Sequence, residues 1–270
     1  ADAQSRMNRS TRGQWDWYAA HRGRIEPLIV PDLPLGRLCV LGAGNCNDLD
    51  LPWLTRAYSQ VHLVDIDPSA LERAVARQGV ANAAAIRRHA PIDLTGIGQL
   101  TASWKGRPVT DAQVDAAASL AAQHAGPVAG GGFDLVLSPC VLSQLLVGVR
   151  DLLGPAHSRW PRLKTVLTTR HLADLLHAVR PGGRGVMIID LTSTSVLPGL
   201  DRASADQVPD LFRMSVREGK CFRGLEPAEL ERGLRAVAPG IATTLSAPWL
   251  WHLGFGKAFL CYGMTVRRGA

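Results

Sequence analysis

Short apolar runs alternate with longer amphipathic stretches along this 270-residue chain. Each run is a compact block of hydrophobic residues bounded by glycine, proline or charged residues, which is typical of strands buried in a parallel sheet. These predicted strands lie at 36–42, 61–66, 86–90, 133–138, 185–191, 241–247 and 257–267. The sequence PWLWHLGFG, between the last two, is predicted to be an aromatic loop.

The stretches between the runs carry the signals of helices. Segment 69–78 follows DIDPS, in which Asp67 or Ser69 can cap a helix beside Pro68. Segments 165–179, which stops at RPGG, and 226–237 also have apolar residues at helical spacing. Alternating strands and helices predict an α/β fold: a doubly wound, mostly parallel seven-stranded sheet with an antiparallel last strand.

The domain organisation follows from where this alternation starts and where it breaks. Residues 1–35 are predicted to be an N-terminal helical cap that begins with a polar, mobile tail, and 36–270 form one domain. Two insertions interrupt the domain. A Gly- and Ala-rich arm spans about 96–132, and a connection at about 192–224 is long enough to be a lid or disordered.

Composition and net charge limit the kinds of binding partner and the cellular location that we expect. The net charge of +7 comes from 30 basic and 23 acidic residues, and the arginines are dispersed rather than clustered with aromatics. This pattern disfavours nucleic acid and favours an anionic or polar partner. The sequence has no apolar run of membrane-spanning length and no signal-peptide pattern, so we expect a cytoplasmic protein without a membrane partner. Its five cysteines contain no CxxC pair, which predicts no metal site.

The stretch LCVLGAGNCND indicates a nucleotide site. Gly42 and Gly44 directly follow the first strand, where a Cβ would obstruct a turn that must approach a ligand. Asp65 ends the second strand, and its two oxygens match the two hydroxyls of a ribose. A dinucleotide fingerprint would place a third glycine at Asn47, so the sequence disfavours a nicotinamide dinucleotide.

Further stretches resemble the motifs of class I S-adenosylmethionine-dependent methyltransferases, over about 38–268. The matching sequences are VLGAGNC, LVDID, RHAPIDL, FDLVLSPCVLSQLL and HLADLLHAVRPGGRGVMIIDL. The resemblance implies a Rossmann-like domain that binds S-adenosyl-L-methionine. The positions that it assigns to this cofactor are Gly42, Ala43 and Gly44 for the methionine portion, Asp65 for the ribose, Ile66, Asp93 and Leu94 for the adenine, and Ser138 and Pro139 for the sulfonium side.

Two positions depart from the family's first motif. Val40 stands where an acidic residue is usual, and Cys46 where a third glycine is usual. Asn45, Asn47 or Asp48 are the polar residues that can replace the missing contacts. Asp48 has an equally good alternative, which is to cap the first helix of the domain.

Three residues are candidates for catalysis. His252 lies in the aromatic stretch and His157 in the loop GPAHSRW, and an imidazole has a pKa suited to a general base. Tyr18 belongs to the segment GQWDWYAAHRGRI. This segment either covers the cofactor, with Tyr18 or Arg22 reaching the carboxylate of the cofactor, or docks on the sheet as an amphipathic helix. For both histidines the alternative is an ordinary packing or surface role.

The function predicted from the resemblance is methyl transfer to nitrogen, oxygen or carbon of a small-molecule acceptor in specialised metabolism, by a chain that could form a homodimer. SPCV at the end of the fourth strand argues against methylation of nucleobase amino groups. One alternative is a cyclisation of the cofactor's aminobutyrate moiety that releases methylthioadenosine. Another is a non-catalytic nucleotide-binding module.

Overall fold

A computed structural model describes residues 2–32, 36–123, 131–154 and 156–269. In these residues one sheet contains eight strands. They are β1 (Arg37–Leu41), β2 (Gln60–Val64), β3 (Ile86–His89), β4 (Phe133–Pro139), β5 (Val179–Ser193), β6 (Ala242–Leu245), β7 (Trp249–His252) and β8 (Ala258–Arg267). The order across the sheet is β3-β2-β1-β4-β5-β8-β6, and β7 also pairs with β8. β1 to β5 are parallel, and β8 runs antiparallel to β5, β6 and β7.

Helices cover both faces of the sheet. They are α1 (Asp2–Thr11), α2 (Ala19–Ile25), α3 (Leu51–Ala57), α4 (Pro68–Arg77), α5 (Gly98–Ala102), α6 (Asp111–Gln123), α7 (Val141–Leu153), α8 (Trp160–Ala178), α9 (Val208–Arg217) and α10 (Pro227–Val237). One core packs α6, α7, α8 and α10 against the sheet, and the other packs α2, α3 and α4 against the opposite face. The doubly wound α/β architecture is therefore confirmed.

The strand count is corrected from seven to eight because the predicted aromatic loop contains β7. Trp249 and Trp251 are buried while Leu250 is half-buried and His252 is exposed, the alternation of a strand with one covered face. The predicted end of the helix at RPGG is confirmed, since α8 ends at Ala178 and β5 starts at the next residue. Residues 180–183 bulge out of the pairing with β4, and Gly182 and Gly183 are hydrogen-bonded to Arg268, directly after β8.

Both predicted insertions contain folded structure. The first includes α5 and α6, and α6 packs on α8 through Val114, Ala117, Ala118 and Ala121. Residues 124–130 of the predicted arm lie outside the described part of the chain. The second insertion contains α9 and two short 3₁₀ helices, and its Leu200 and Val208 pack against Ala258 and Leu260 of β8. It is therefore a folded connection, rather than a disordered one.

The N-terminal residues form helices where the sequence predicted a mobile tail. α1 contacts both α4 and α7, which follow β2 and β4. The next segment, which holds α2 between two 3₁₀ helices, buries Tyr18, Ile25 and Ile29 against the sheet. Residues 1 and 33–35 of the predicted cap lie outside the described chain. Among the described helices, none is long and apolar enough to cross a membrane.

Candidate active site at the carboxyl edge of the sheet

The strand order reverses between β1 and β4, which pair directly with each other. Crossovers leave such neighbouring strands in opposite directions, so a crevice opens outside their carboxyl ends, where open α/β sheets bind ligands. The loops after β1, β2, β4 and β5 meet at this edge. The candidate site is built from their first residues and from the N-terminal segment that covers them.

The turn after β1 needs its glycines. Gly42 has a φ of 71° and Gly44 a φ of 50°, in the left-handed region that glycine adopts at little cost. A Cβ on Gly42 would lie 2.4 Å from a methyl group of Val141 at the start of α7. The Gly42 and Ala43 amides donate to the Val64 carbonyl, so the turn is held against the end of β2. The backbone can therefore approach α7 and the crevice more closely than any other residue would allow.

Asp65 lies directly at this turn. Its Oδ2 accepts the Gly44 amide at 2.8 Å, and its Oδ1 accepts the Asp67 amide at 2.9 Å. Burial raises the pKa of Asp65, and these two backbone hydrogen bonds act in the opposite direction. The spacing predicted from sequence thus corresponds to a direct contact. Asp67, as expected, caps α4 by accepting the Ala70 amide at 3.2 Å.

α1 crosses the crevice above Asp65. The Asn8 side chain, 4% exposed, points its Nδ2 at Asp65 Oδ1 at 3.5 Å and at Asp67 Oδ2 at 3.4 Å. Asn45 donates to the Asn8 carbonyl at 2.6 Å, and Asn47 donates to the Thr11 carbonyl at 2.8 Å. The two asparagines that were candidates for ligand contacts therefore hold α1 in place.

Asp48 does not cap the first helix of the domain. Asp50 does so, because its carboxylate accepts the Trp53 amide at the start of α3 at 2.8 Å. Asp48 instead turns toward His21 of α2, and its Oδ1 lies 3.7 Å from His21 Nε2. Burial raises the pKa of Asp48 to about 7, which Arg22 partly offsets and Asp190 reinforces.

His21 is fully buried among aromatic rings. It stacks on Trp251 with ring centroids 4.2 Å apart, and its Nδ1 accepts the indole N–H of Trp249 at 3.1 Å. An accepting Nδ1 carries no hydrogen, so the neutral ring has its proton on Nε2, facing Asp48. Burial, with a smaller contribution from Arg22, lowers the pKa of His21 to about 3 and keeps it neutral. Sequence analysis did not single out this histidine.

Tyr18 belongs to the same cluster, with its ring 4.8 Å from that of Trp251. Burial raises the pKa of its hydroxyl, and the charge of Asp48 adds to the increase. Arg22 was the other residue predicted to reach the carboxylate of the cofactor. Its guanidinium donates to the carbonyls of Trp15 and Asn47 at 2.8 and 2.9 Å. The N-terminal segment therefore docks on the sheet, which is one of the two alternatives predicted for it, while its covering of the cofactor stays a prediction.

Asp190 is a second carboxylate near this cluster, and it was not among the residues predicted from the sequence. It pairs with Cys261 of β8, which pairs in turn with Trp249 of β7, so the three side chains lie on one face of the sheet. Ser143 of α7 donates to Asp190 Oδ2 at 2.7 Å. Burial raises the pKa of Asp190 to about 7 despite this hydrogen bond. The sequence contains a signal for Asp190, which is an acidic residue after an apolar run. The same pattern identified Asp65.

The residues predicted to contact the adenine and the sulfonium differ in burial and in the hydrogen bonds that they already make. Ile66 is half-buried and Leu94 is buried in the core. The Asp93 carboxylate accepts the Thr95 and Gly98 amides at 2.9 and 2.6 Å, so it stabilises its own loop. Ser138 lies within 2.7 Å of His171 Nε2 in the core, whereas Pro139 pairs with Ile188 at the end of β4. Ser138 can therefore offer the site its backbone, while its hydroxyl is already hydrogen-bonded.

The two candidate histidines do not join the cluster. His157 Nε2 contacts the Val109 carbonyl at 3.0 Å and its Nδ1 accepts the Arg159 amide at 3.2 Å, so both nitrogens hold the first insertion against α8. His252 is exposed and, by the alternation along β7, points to the face opposite Trp251. Tyr18 is the one of the three catalytic candidates that the structure brings to the site.

Replacing Asp190 by asparagine should increase stability more at pH 8 than at pH 5. The folded protein keeps the Asp190 proton up to about pH 7, whereas the unfolded chain loses it near the ordinary pKa of 3.8. Stability conferred by the acid therefore falls as pH rises from about 4 to 7, and an uncharged amide removes this loss. We expect a gain of about 4 kcal/mol at pH 8 and of about 1–2 kcal/mol at pH 5.

Thermal unfolding of both proteins at the two pH values measures this difference. Asp151→Asn, an exposed carboxylate on α7, is the matched control and should change stability little at either pH. Equal effects of Asp190→Asn at pH 5 and pH 8 would contradict the raised pKa of Asp190.

Comparison with known proteins supports the fold. No protein-family model matches the chain, and no curated protein matches it. Among solved structures, it is similar to the N-methyltransferase NodS of Bradyrhizobium japonicum, with a TM-score of 0.50, 12% identity, and coverage of 94% of this chain and 98% of NodS. It is also similar to the YcgJ protein of Bacillus subtilis, with a TM-score of 0.50, 10% identity, and coverage of 93% and 99%.

Proposed function

We propose that this chain, which has the class I methyltransferase fold, is an S-adenosyl-L-methionine-dependent methyltransferase. The observation that carries the proposal is the contact between the glycine turn and Asp65. A carboxylate at the end of β2 accepts the Gly44 amide at 2.8 Å, beside a turn whose Gly42 could carry no Cβ without a clash. This constellation suits a ribose diol next to a closely approaching backbone.

The residues of the crevice fit such a cofactor. The oxygens of Asp65 would accept the ribose hydroxyls in the position that Asn8 now occupies, since the Asn8 amide contacts the same carboxylate. The turn from Gly42 to Gly44 and the backbone after β4 would hold the methionine portion. Ile66 and Leu94 are apolar neighbours for the adenine, and the loop that Asp93 stabilises would border it.

When bound, the cofactor supplies a methyl group that is already activated by a positively charged sulfur. The protein's task is then to orient an acceptor in line with that methyl and to exclude water, which can account for effective molarities of about 10⁵–10⁸ M. Tyr18 and His21 of the N-terminal segment pack on Trp251 of β7 and would help to exclude water from the acceptor. Asp48, which lies 3.7 Å from His21, and Asp190 would then receive a proton from the acceptor.

We further propose that the acceptor is a small molecule and that the enzyme serves specialised metabolism in the cytoplasm. Support for the small acceptor comes from the burial of the polar groups that would meet it. Tyr18, Trp249 and Trp251 are each less than 10% exposed, so a ligand beside them must fit beneath the N-terminal segment. The dispersed arginines and the absence of a basic aromatic run in the sequence support a partner other than nucleic acid.

Calorimetric titration with S-adenosylmethionine and S-adenosylhomocysteine, followed by mass spectrometry of the cofactor after incubation alone, tests the proposal. We expect micromolar binding of both and an unchanged cofactor in the absence of an acceptor. Release of methylthioadenosine without an acceptor would instead establish the cyclisation reaction. Failure of both nucleotides to bind the full chain would overturn the cofactor assignment and the proposal with it.

A further inference from the structure

Two carboxylates in the covered part of the site have no matching basic side chain. Asp190 is 7% exposed, and its Oδ1 has no hydrogen-bond partner among the described residues. Asp48 Oδ1 is buried, and likewise has none in that part of the chain. A buried acceptor without a donor costs about 1–3 kcal/mol, more when it is charged, so such atoms indicate that a donor is supplied by something else.

These carboxylates belong to one cluster. Asp190, Cys261 and Trp249 face the same side of the sheet across β5, β8 and β7. The Cys140 thiol, at the start of α7, hydrogen-bonds that of Cys261, and the charges of Asp48 and Asp190 both raise the pKa of Cys140. Asp48 Oδ1 lies 3.7 Å from Nε2 of His21, whose Nδ1 accepts the Trp249 indole N–H, so Trp249 links the two carboxylates.

Once these two carboxylates are ionised, the nearby cations do not compensate their negative charge. Arg22 is close enough to Asp48 to favour its charged form, but its guanidinium donates to backbone carbonyls and stacks over Trp15 at 3.6 Å. His21 is neutral, for the reasons given above. Within the described residues no basic side chain forms an ion pair with Asp190, so the carboxylate that is more deeply buried is also the one without a cation.

Aromatic rings complete the cluster. Trp249 and Trp251 are buried beside His21, and Tyr18 packs edge-on against Trp251. The faces of such rings attract cations, by about 2 kcal/mol or more when the cation is desolvated. A ligand with N–H donors, a positive charge and an apolar body satisfies the carboxylates and the rings together. A carboxylate or phosphate ligand would be repelled by the same groups.

We propose that Asp190 and Asp48 bind the amino group of the methyl acceptor, which makes the acceptor a small amine. This inference rests on the proposed methyltransferase function. Asp65 follows β2 and Asp190 lies on β5, three strand spacings or roughly 14 Å across the sheet, so the nucleoside and the amine can occupy opposite sides of the switch point. The function predicted from the sequence allowed nitrogen, oxygen or carbon as the methylated atom.

The two carboxylates can also accept the proton that the amine must lose before methyl transfer. An ammonium group has no free electron pair, so it first passes one proton to Asp190 or Asp48, which becomes a neutral acid. The nitrogen lone pair then forms the N–C bond to the transferred methyl while the C–S bond breaks and the sulfur keeps its electrons. The methylated amine leaves as its ammonium form, and the protonated aspartate releases the one remaining proton to solvent.

Binding measurements separate this inference from the proposed function. Butylamine, phenethylamine and tryptamine are titrated by calorimetry into the full chain saturated with S-adenosylhomocysteine, each beside the alcohol of the same skeleton. We expect at least one amine to bind about 10-fold or more tightly than its alcohol. Asp190→Asn should weaken that amine at least about 30-fold, since it removes one partner of a buried charge pair. Asp151→Asn, an exposed acid on α7, should leave it unchanged.

The other outcomes overturn the inference. Alcohols that bind as tightly as the amines would show that these carboxylates do not select a cation. Binding of S-adenosylhomocysteine that weakens in Asp190→Asn, with no amine bound by the wild type, would assign the carboxylate to the cofactor's own ammonium group. If S-adenosylhomocysteine itself does not bind, the proposed function fails, and the amine titrations repeated without it still decide whether an amine site exists.

Discussion

Replacing Asp65 by asparagine should weaken the binding of S-adenosylhomocysteine at least about 100-fold, which corresponds to about 2.7 kcal/mol. Both oxygens of this carboxylate already accept backbone amides, from Gly44 at 2.8 Å and from Asp67 at 2.9 Å. An asparagine in either orientation directs its NH₂ group at one of these N–H donors. The turn is then displaced, and one acceptor for the ribose diol is lost with it.

Asp67→Asn is the matched control because it changes the same atoms two residues away. Asparagine caps a helix about as well as aspartate, so α4 should keep its first turn. We expect this variant to bind S-adenosylhomocysteine within about 3-fold of wild type. Calorimetry on both variants, with circular dichroism to establish that each is folded, makes the comparison. Wild-type affinity in a folded Asp65→Asn protein would remove Asp65 from the nucleotide site.

Replacing Gly42 by alanine should destabilise the protein by about 2–4 kcal/mol. Two costs add. The new Cβ would lie 2.4 Å from a Val141 methyl group, and a φ of 71° disfavours any residue with a Cβ. Because the turn can relieve the clash only by moving away from α7, affinity for S-adenosylhomocysteine should fall as well. Urea unfolding and calorimetry measure the two effects.

A second substitution separates the steric cost from the backbone cost. Val141→Ala removes the methyl groups that the new Cβ would meet, so the double variant should lose about 1 kcal/mol less than the sum of the single variants. Gly148→Ala in α7 is the control for adding a methyl group, since nothing lies within 4 Å of its Cβ position. It should stabilise the helix by about 0.5–1 kcal/mol. Additive losses in the double variant would show that Val141 does not restrict the turn.

The parts of the fold that depend on local pattern could be predicted from the sequence. The glycine turn and Asp65 lie within one strand–helix–strand unit, where spacing alone brings them together. β7 was missed because four residues, of which three are aromatic or apolar, resemble a loop that packs its side chains. Only pairing with β8 shows that Trp251 and His252 point to opposite faces, and this removes His252 from the cluster.

The covered half of the site could not be predicted because its members are far apart in sequence. His21 and Trp249 are hydrogen-bonded across 228 residues, and Ser143 and Asp190 across 47. No periodicity relates such pairs, and a buried histidine resembles an exposed one in sequence. Asp190 could have been identified from the sequence, since it follows an apolar run as Asp65 does. The strand register was needed to show which face it occupies.

The contact between Asn8 and Asp65 also bears on how fast the nucleotide can arrive. A ribose diol and the Asn8 amide require the same carboxylate oxygen, so the two cannot be bound at once with α1 in this position. The Asn8 side chain, alone or together with α1, must then move before the nucleoside is fully seated, and the association rate would saturate at the rate of that movement as nucleotide concentration rises. A fluorophore attached to α1 would report the movement directly. An affinity tag fused next to α1 would alter the association rate being measured.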